Sequence, residues 1–275
     1  MASGHQPFQI IGHFATGGVA NLYKVRLEDG TPALLRQLQT ANCFRLSMRK
    51  RFMLGTQYRQ MLSPHPNIQN SLGNGAGFIW PYELVEFVDG VPLRTMMSLN
   101  DYRIKENAEQ IICGIAKGLS WMHEHHLMHL DVKPENFLVE RNNQVMGVKL
   151  TDFDLAREAS DNGPHRQMGT PAFMAPEQFI KKLAYQASDV FAFGLIAYQL
   201  LTGKLAFSGK TEKKFWRHQA SSKVRPRAVR ELAPDVSSGL EAIVMKCLEK
   251  KLADRYQDMC QVHQALVRLK IPNTI

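Results

Sequence analysis

The chain has 275 residues, 44% hydrophobic and 21% charged, a composition ordinary for a globular protein with a substantial core of its own. Its formal net charge of +9 reads by default as a solvated basic surface and, in the sharper reading, as attraction to acidic proteins or phosphates; no basic motif with interleaved aromatics accompanies it, so nucleic acid is not the expected partner. No apolar run is long enough to span a bilayer and Met1-Ala2-Ser3-Gly4-His5 has no apolar signal core, which predicts a cytoplasmic protein with no membrane contact. The four cysteines, Cys43, Cys113, Cys247 and Cys260, lie far apart without C-x-x-C spacing, so neither a zinc site nor a disulfide framework is expected.

Residues 8–38 read as three strands. Phe8 to Phe14 is apolar, Gly17-Gly18 makes a turn, Asn21 to Leu27 alternates, Gly30 and Pro32 turn the chain again, and Ala33 to Leu38 forms the third strand. A glycine turn between two strands can lay backbone N–H groups over phosphates, although taken alone a plain hairpin is the better explanation. A helix is predicted over Ser47 to Leu62. It carries Arg49, Lys50, Arg51 and Arg59, with Arg45 just before it, and no Asp or Glu occurs between Asp29 and Glu83. That face is either solvated or a dock for an acidic partner. Ser63-Pro64-His65-Pro66 ends the helix, Phe78 to Trp80 and Tyr82 to Phe87 read as strands, and Asp89-Gly90 turns.

From Lys105 to His126 the apolar residues Ala108, Ile111, Ile112, Ile115, Leu119 and Met122 recur at helical spacing. The helix leads into His129-Leu130-Asp131-Val132-Lys133-Pro134-Glu135-Asn136-Phe137, which places a carboxylate, a lysine and an amide on one loop. An acid/base group, a cation and a metal-ligating oxygen are what moving a phosphoryl group needs. His123, His125, His126 and His129 invite a metal reading, which the adjacency of His125 and His126 and the lack of repeated carboxylate–His spacing argue against. Phe137 to Val139 and Val148 to Leu150 bracket Asn142-Asn143 as a hairpin, followed by Thr151-Asp152-Phe153-Asp154. Ser188-Asp189 reads as the cap of a buried helix from Val190 to Thr202. Lys213 to Arg230 is a second basic region, Ser238-Gly239-Leu240-Glu241 is a capping box, and a last helix is predicted over Asp258 to Lys270.

Taken in order, these segments resemble a protein kinase over essentially the whole chain, in the style of the eukaryote-like Ser/Thr kinases of bacteria. The loop from His129 to Asn136 is similar to H-R-D-x-K-x-x-N with Leu130 in place of Arg. Thr151 to Asp154 is similar to D-F-G with Asp154 for Gly, and Gly169 to Glu177 is similar to G-T-x-x-[YF]-M-A-P-E. The resemblance implies an α+β bilobal fold, with a β-rich N-lobe over 1–88 and a helical C-lobe over 89–275. It implies ATP and Mg²⁺, or Mn²⁺, as cofactors and a protein as substrate. Asp131 would accept the substrate hydroxyl's proton, Lys133 would offset charge on the γ-phosphoryl, and Asn136 and Asp152 would hold the metals. Gly17, Gly18, Leu22, Leu34, Arg36, the backbone of Glu86 and Val88, and Leu138 would surround the nucleotide, with Val85 as gatekeeper. Asp189 would tie the central helix to the catalytic loop, and Arg255 would pair with Glu177.

The N-terminal half departs from the family pattern. Ala33-Leu34-Leu35-Arg36 stands where V-A-I-K belongs, Ala15 and Ala20 replace two loop glycines, and Gly55 falls where the helix Glu should be. Since no acid occurs between Asp29 and Glu83, no local carboxylate is expected to fill that role. Leu130 removes the Arg that would clamp a loop phosphate, so no activation by phosphorylation at Ser160 or Thr170 is expected. Two readings follow: a Ser/Thr kinase with an unusual phosphate anchor, Arg36 or Lys24, and weak or conditional transfer; or a pseudokinase that acts as a scaffold or regulatory interaction module, with or without bound nucleotide. The partner is a protein substrate or an acidic regulatory protein.

Overall fold

The computed structural model describes residues 8–76, 80–141, 146–161, 170–209 and 211–269. The strand expected over Phe78 to Trp80, the turn at Asn142-Asn143, and Gly169 lie wholly or partly outside these residues. The chain divides into two compact units, Met1–Asp89 with Asp152–Asp154, and Gly90–Thr151 with Leu155–Ile275.

The N-terminal unit is one antiparallel sheet of β1 (Phe8–Thr16), β2 (Ala20–Leu27), β3 (Pro32–Leu38), β4 (Ser71–Ala76) and β5 (Pro81–Glu86), in the order β1-β2-β3-β5-β4. A short helix α1 (Thr40–Cys43) and the long α2 (Leu46–Leu62) follow β3. The two-residue period of a strand sorts side chains between faces. Val25, Ala33, Leu35 and Leu84 pack with Phe8 in one cluster. Ala20, Leu38, Cys43 and Phe52 form another, so α2 covers the face that carries Leu38 and, by period, Leu34 and Arg36. The buried residues of α2 are Phe52, Gly55, Thr56, Arg59 and Leu62, one stripe at helical spacing. The register sets Arg36 opposite Glu83 on β5.

The C-terminal unit is mostly helical. It opens with β6 (Gly90–Pro92) and α3 (Leu93–Ser98). The expected helix from Lys105 is two pieces, α4 (Tyr102–Glu106) and α5 (Ala108–Glu124). The break falls at Asn107, whose side-chain amide donates to the Arg103 carbonyl and competes with the helical ladder. β7 (Leu127–Met128), β8 (Phe137–Glu140), β9 (Val148–Leu150) and β10 (Arg157–Glu158) form two small sheets, β6-β8-β9 and β7-β10. Then come α6 (Pro176–Ile180), α7 (Gln186–Thr202), α8 (Glu212–Ala220), α9 (Val229–Leu232), α10 (Ser238–Cys247) and α11 (Met259–Arg268).

Two helix starts differ from expectation. Helix α7 begins at Gln186 because the Ser188 hydroxyl accepts the Tyr185 N–H, which puts Ser188 and Asp189 in the first turn instead of at the cap. Helix α10 is capped by Ser237, whose hydroxyl accepts from Leu240, while Glu241 accepts the Arg230 N–H and closes no capping box. Among the described residues no helix is long and apolar enough to cross a membrane.

Candidate active site

The loop after β7 is shaped by one buried carboxylate. Asp189, in the first turn of α7, accepts the N–H of His129 at 2.7 Å and of Leu130 at 2.9 Å. Its Oδ2 also lies 3.1 Å from Nε2 of His123. These bonds hold Leu130 at φ +64°, a left-handed conformation costly for a branched residue and typical of functional turns. Asp131 follows, with its side chain mostly buried. Lys133 Nζ lies 2.6 Å from Asp131 Oδ2, and the Thr170 N–H donates to Oδ1 at 3.2 Å. Asn136 Nδ2 donates to the Asp131 carbonyl at 2.8 Å and to Oδ2 at 3.2 Å, which turns its own amide oxygen away from Asp131. The Asn136 carbonyl accepts from the Thr151 N–H and hydroxyl, at 2.8 and 3.1 Å. Asp131, Lys133, Asn136 and Thr170 thus form one hydrogen-bonded constellation.

Each of the four histidine residues is hydrogen-bonded within the protein. His123 accepts the Met259 N–H on Nδ1, His125 contacts the Trp121 carbonyl, the His126 carbonyl accepts from Ala159, and His129 contacts the Thr151 carbonyl. Leu138 is half-buried on β8. Farther along, Arg255 donates to both oxygens of Glu177, at 2.9 and 3.3 Å, and the Ser188 hydroxyl adds a third bond to the same carboxylate.

In the N-terminal unit, β3 and β5 bring charges inside. Arg36 is buried; its Nη1 donates to Glu83 at 2.6 Å and its Nη2 to both oxygens of Asp154, at 3.1 and 3.2 Å. Arg59 of α2, completely buried, places Nε 2.8 Å from the other Glu83 oxygen and Nη1 3.1 Å from both the carbonyl and the side-chain oxygen of Gln69. Burial alone would lower the Arg36 pKa, but Asp154, Glu83 and Asp152 hold it far above the ordinary range. Arg59 is pulled down by burial, against the attraction of Glu83. Burial pushes the Asp154 carboxyl up, against the pull of Arg36. The carboxylate partner of the third-strand cation is therefore Glu83, just past the acid-free stretch. An acid among the apolar residues of β5, in register with Arg36, is the sequence signal for it.

Asp152 sits at φ +50°, its Oδ1 accepting the Asp154 N–H at 3.1 Å. Its side chain is 45% exposed, against 7% for Asp154. Gly17 and Gly18 are exposed at the turn between β1 and β2, with the Gly17 N–H bonded to Ala20 and its carbonyl to the Gln39 amide. Leu22 is half-buried and Leu34 buried. The Glu86 N–H donates to Asn70 and its carbonyl accepts from Gln69, so a further donor there would use the carbonyl's second lone pair. Val88 is buried beyond β5. Lys24 lies over the Phe87 ring, 4.5 Å from its centroid.

The sheet, the helical unit and the loop order agree with one family, and comparison with known sequences decides it. Residues 8–267 match the family described as the protein kinase domain. The chain belongs to the protein kinase family. The serine/threonine-protein kinase PknB of Mycolicibacterium smegmatis is 33% identical over 195 residues, covering 69% of this chain and 30% of that protein. Pkn1 of Myxococcus xanthus is 33% identical over 208 residues, 74% of this chain and 29% of that protein. PknB of Mycobacterium tuberculosis is 31% identical over 195 residues, again 69% and 30%. The chain thus spans under a third of the length of these relatives. Within the kinase domain the likeness to the eukaryote-like kinases of bacteria holds.

Proposed function

We propose that this domain binds ATP with Mg²⁺ and transfers the γ-phosphoryl to serine or threonine of a protein, at a rate that is low or conditional on a partner. One observation carries the reading: Asp131, Lys133 and Asn136, on a loop held by Asp189, are joined by direct hydrogen bonds and an ion pair, and Thr170 bonds Asp131 from a later segment. A mostly buried carboxylate beside a lysine suits a group that orients a hydroxyl and takes its proton. Lys133 offsets negative charge next to it. Thr170 fixes the orientation of Asp131 through its N–H. The amide oxygen of Asn136 and the half-exposed carboxylate of Asp152 are hard oxygen donors of the kind Mg²⁺ selects. The metal, when bound, neutralises charge on the phosphates. On this reading the domain works in the cytoplasm, where ATP is plentiful, and the basic residues of α2 and of 213–230 favour an acidic substrate or regulatory protein. With Leu130 bonded only through its backbone to Asp189, no side chain at that position is offered to a loop phosphate, so regulation through Ser160 is not part of the proposal.

A second reading, a pseudokinase, is favoured by Arg36. Its donors are committed to Glu83 and Asp154, so the third-strand cation is not offered to phosphates as a lysine would be. Losing preorganised charge on a transferring phosphoryl costs about 10²–10³ in rate. Transfer from radiolabelled ATP to a mixed protein acceptor, run beside Asp152→Ala, separates the two readings. Transfer above the Asp152→Ala background supports the kinase. Transfer no higher than that background, with a Mg²⁺-dependent thermal shift by ATP retained, establishes the pseudokinase.

A further inference from the structure

The buried charges of the N-terminal unit have an arrangement that packing alone does not require. A kinase of the usual pattern takes its cation from the third strand and its carboxylate from the helix. Here the signs are redistributed. The helix contributes Arg59, β3 contributes Arg36, and the carboxylates come from β5, as Glu83, and from the segment Asp152–Asp154, as Asp154. Glu83 bridges the two guanidiniums, one per oxygen.

Several contacts aim the cluster at Asp152. The Asp154 N–H binds Asp152 Oδ1, and Arg36 Nη2 is 3.9 Å from that same oxygen. The Arg59 guanidinium lies over the Phe153 ring, 4.8 Å from its centroid. Gly55 lets α2 touch the same segment, since a Cβ at that position would meet the Phe153 carbonyl oxygen at 2.9 Å. A longer side chain at the position of the usual helix acid therefore has no room. Arg36 itself is backed by Phe52, 5.4 Å from ring centroid to guanidinium.

We propose that Arg36, Glu83 and Asp154 are positioning residues that clamp Asp152 for its metal, in place of the usual lysine–helix-acid pair. This rests on reading Asp152 as a magnesium ligand. The planar fork of Arg36 is essential to the clamp, because it reaches Glu83 with one nitrogen and Asp154 with the other. A lysine, the usual residue of the family, is a single point charge and serves one carboxylate at a time. Restoring the family lysine alone should therefore harm this domain. Restoring lysine together with the family glycine at position 154 should recover most of the loss, because one carboxylate then remains to be met.

The test uses the full chain as wild type, Arg36→Lys, Asp154→Gly and the double variant. Two quantities are read: the Mg²⁺ concentration giving a half-maximal thermal shift with ATP, and amide hydrogen exchange across 152–154 without nucleotide. Arg36→Lys is expected to need about tenfold more Mg²⁺, a shift of about 1.4 kcal/mol, and to speed exchange in that segment. The double variant should return to within about threefold of wild type. An Arg36→Lys variant with wild-type Mg²⁺ requirement and exchange would overturn the clamp, as would a double variant worse than both singles. If wild-type protein shows no shift with ATP and Mg²⁺, the metal reading of Asp152 fails by itself. The exchange arm then still decides the clamp: faster exchange confined to 152–154 supports it, and unchanged exchange refutes it.

Discussion

Each unit of this domain buries an arginine–carboxylate network, and the two networks are built to different ends. In the C-terminal unit Arg255 and Glu177 are fully matched by each other, by Ser188 and by backbone carbonyls, while Asp131 and Lys133, the proposed reactive pair, pair with each other and stay partly open to solvent. In the N-terminal unit the residue that should face the nucleotide, Arg36, has been drawn into the buried network itself. The difference teaches that a charged residue at a family position need not keep the family contact. What decides is which carboxylates the register and the neighbouring turn bring within reach.

The largest effect should come from the open side of this comparison. Asp131→Asn removes the proton acceptor yet keeps the shape of the loop, and transfer should fall by about 10²–10⁴. The thermal shift with ATP and Mg²⁺ should persist. A variant transferring phosphate at the wild-type rate would remove Asp131 from the chemistry.

On the closed side the effect should appear as stability. Glu83→Leu leaves Arg36 and Arg59 buried without their shared carboxylate, and removing one partner of a buried pair typically costs about 3–5 kcal/mol. Arg255→Met in the C-terminal unit strands Glu177 in the same way and should cost a similar amount. Denaturant unfolding of both variants measures the comparison directly. A Glu83→Leu protein as stable as wild type would mean that the two guanidiniums reach water or other acceptors.

A smaller effect is expected where the helix touches the turn. Gly55→Ala puts a Cβ 2.9 Å from the Phe153 carbonyl oxygen and 3.1 Å from Asp154 Oδ1. Relief requires backbone movement, with a cost of about 1–3 kcal/mol, even though alanine is the better helix former. A gain in stability would show that the propensity term outweighs the contact.

These contrasts follow how legible each region is in its sequence. The loop from His129 to Asn136 is a local motif whose residue types can be read directly, while its geometry is completed by the longer-range anchors Asp189, Thr151 and Thr170. The strands were legible from alternation and the helices from apolar spacing, with errors at starts where Ser188 and Ser237 choose the cap. The N-terminal cluster was not legible. Its carboxylates lie 47 and 118 residues from Arg36, and the acid that faces Arg36 stands across a strand pair instead of on α2. The run from Asp29 to Glu83 stands out for the acids it lacks, yet its closing residue is the partner.

The smallest effect concerns a charge in the C-terminal unit that is buried without a carboxylate of its own, the converse of Arg36. Lys250 donates to the Gln219 carbonyl and lies over the Phe207 ring, 3.4 Å from its centroid. Burial, reinforced by the neighbouring Arg255, pushes its pKa down to about 7 from the ordinary 10.5, although Glu249 pulls the other way. The aromatic faces of Phe207 and Phe191 also favour the ammonium, so burial is the stronger influence. Between about pH 7 and pH 10.5 the unfolded chain holds a proton there that the folded chain has released, so this group makes stability rise with pH across that window. Below it both states are protonated and the full cost of burying the charge is felt. Lys250→Met should therefore be relatively more stable near pH 6 than near pH 9, flattening the pH profile by up to about 1 kcal/mol once solvent screening at its exposed third is allowed for. Denaturation midpoints of the two proteins that run parallel across this range would show that the aromatic rings and Gln219 hold Lys250 protonated, as the carboxylates hold Arg36.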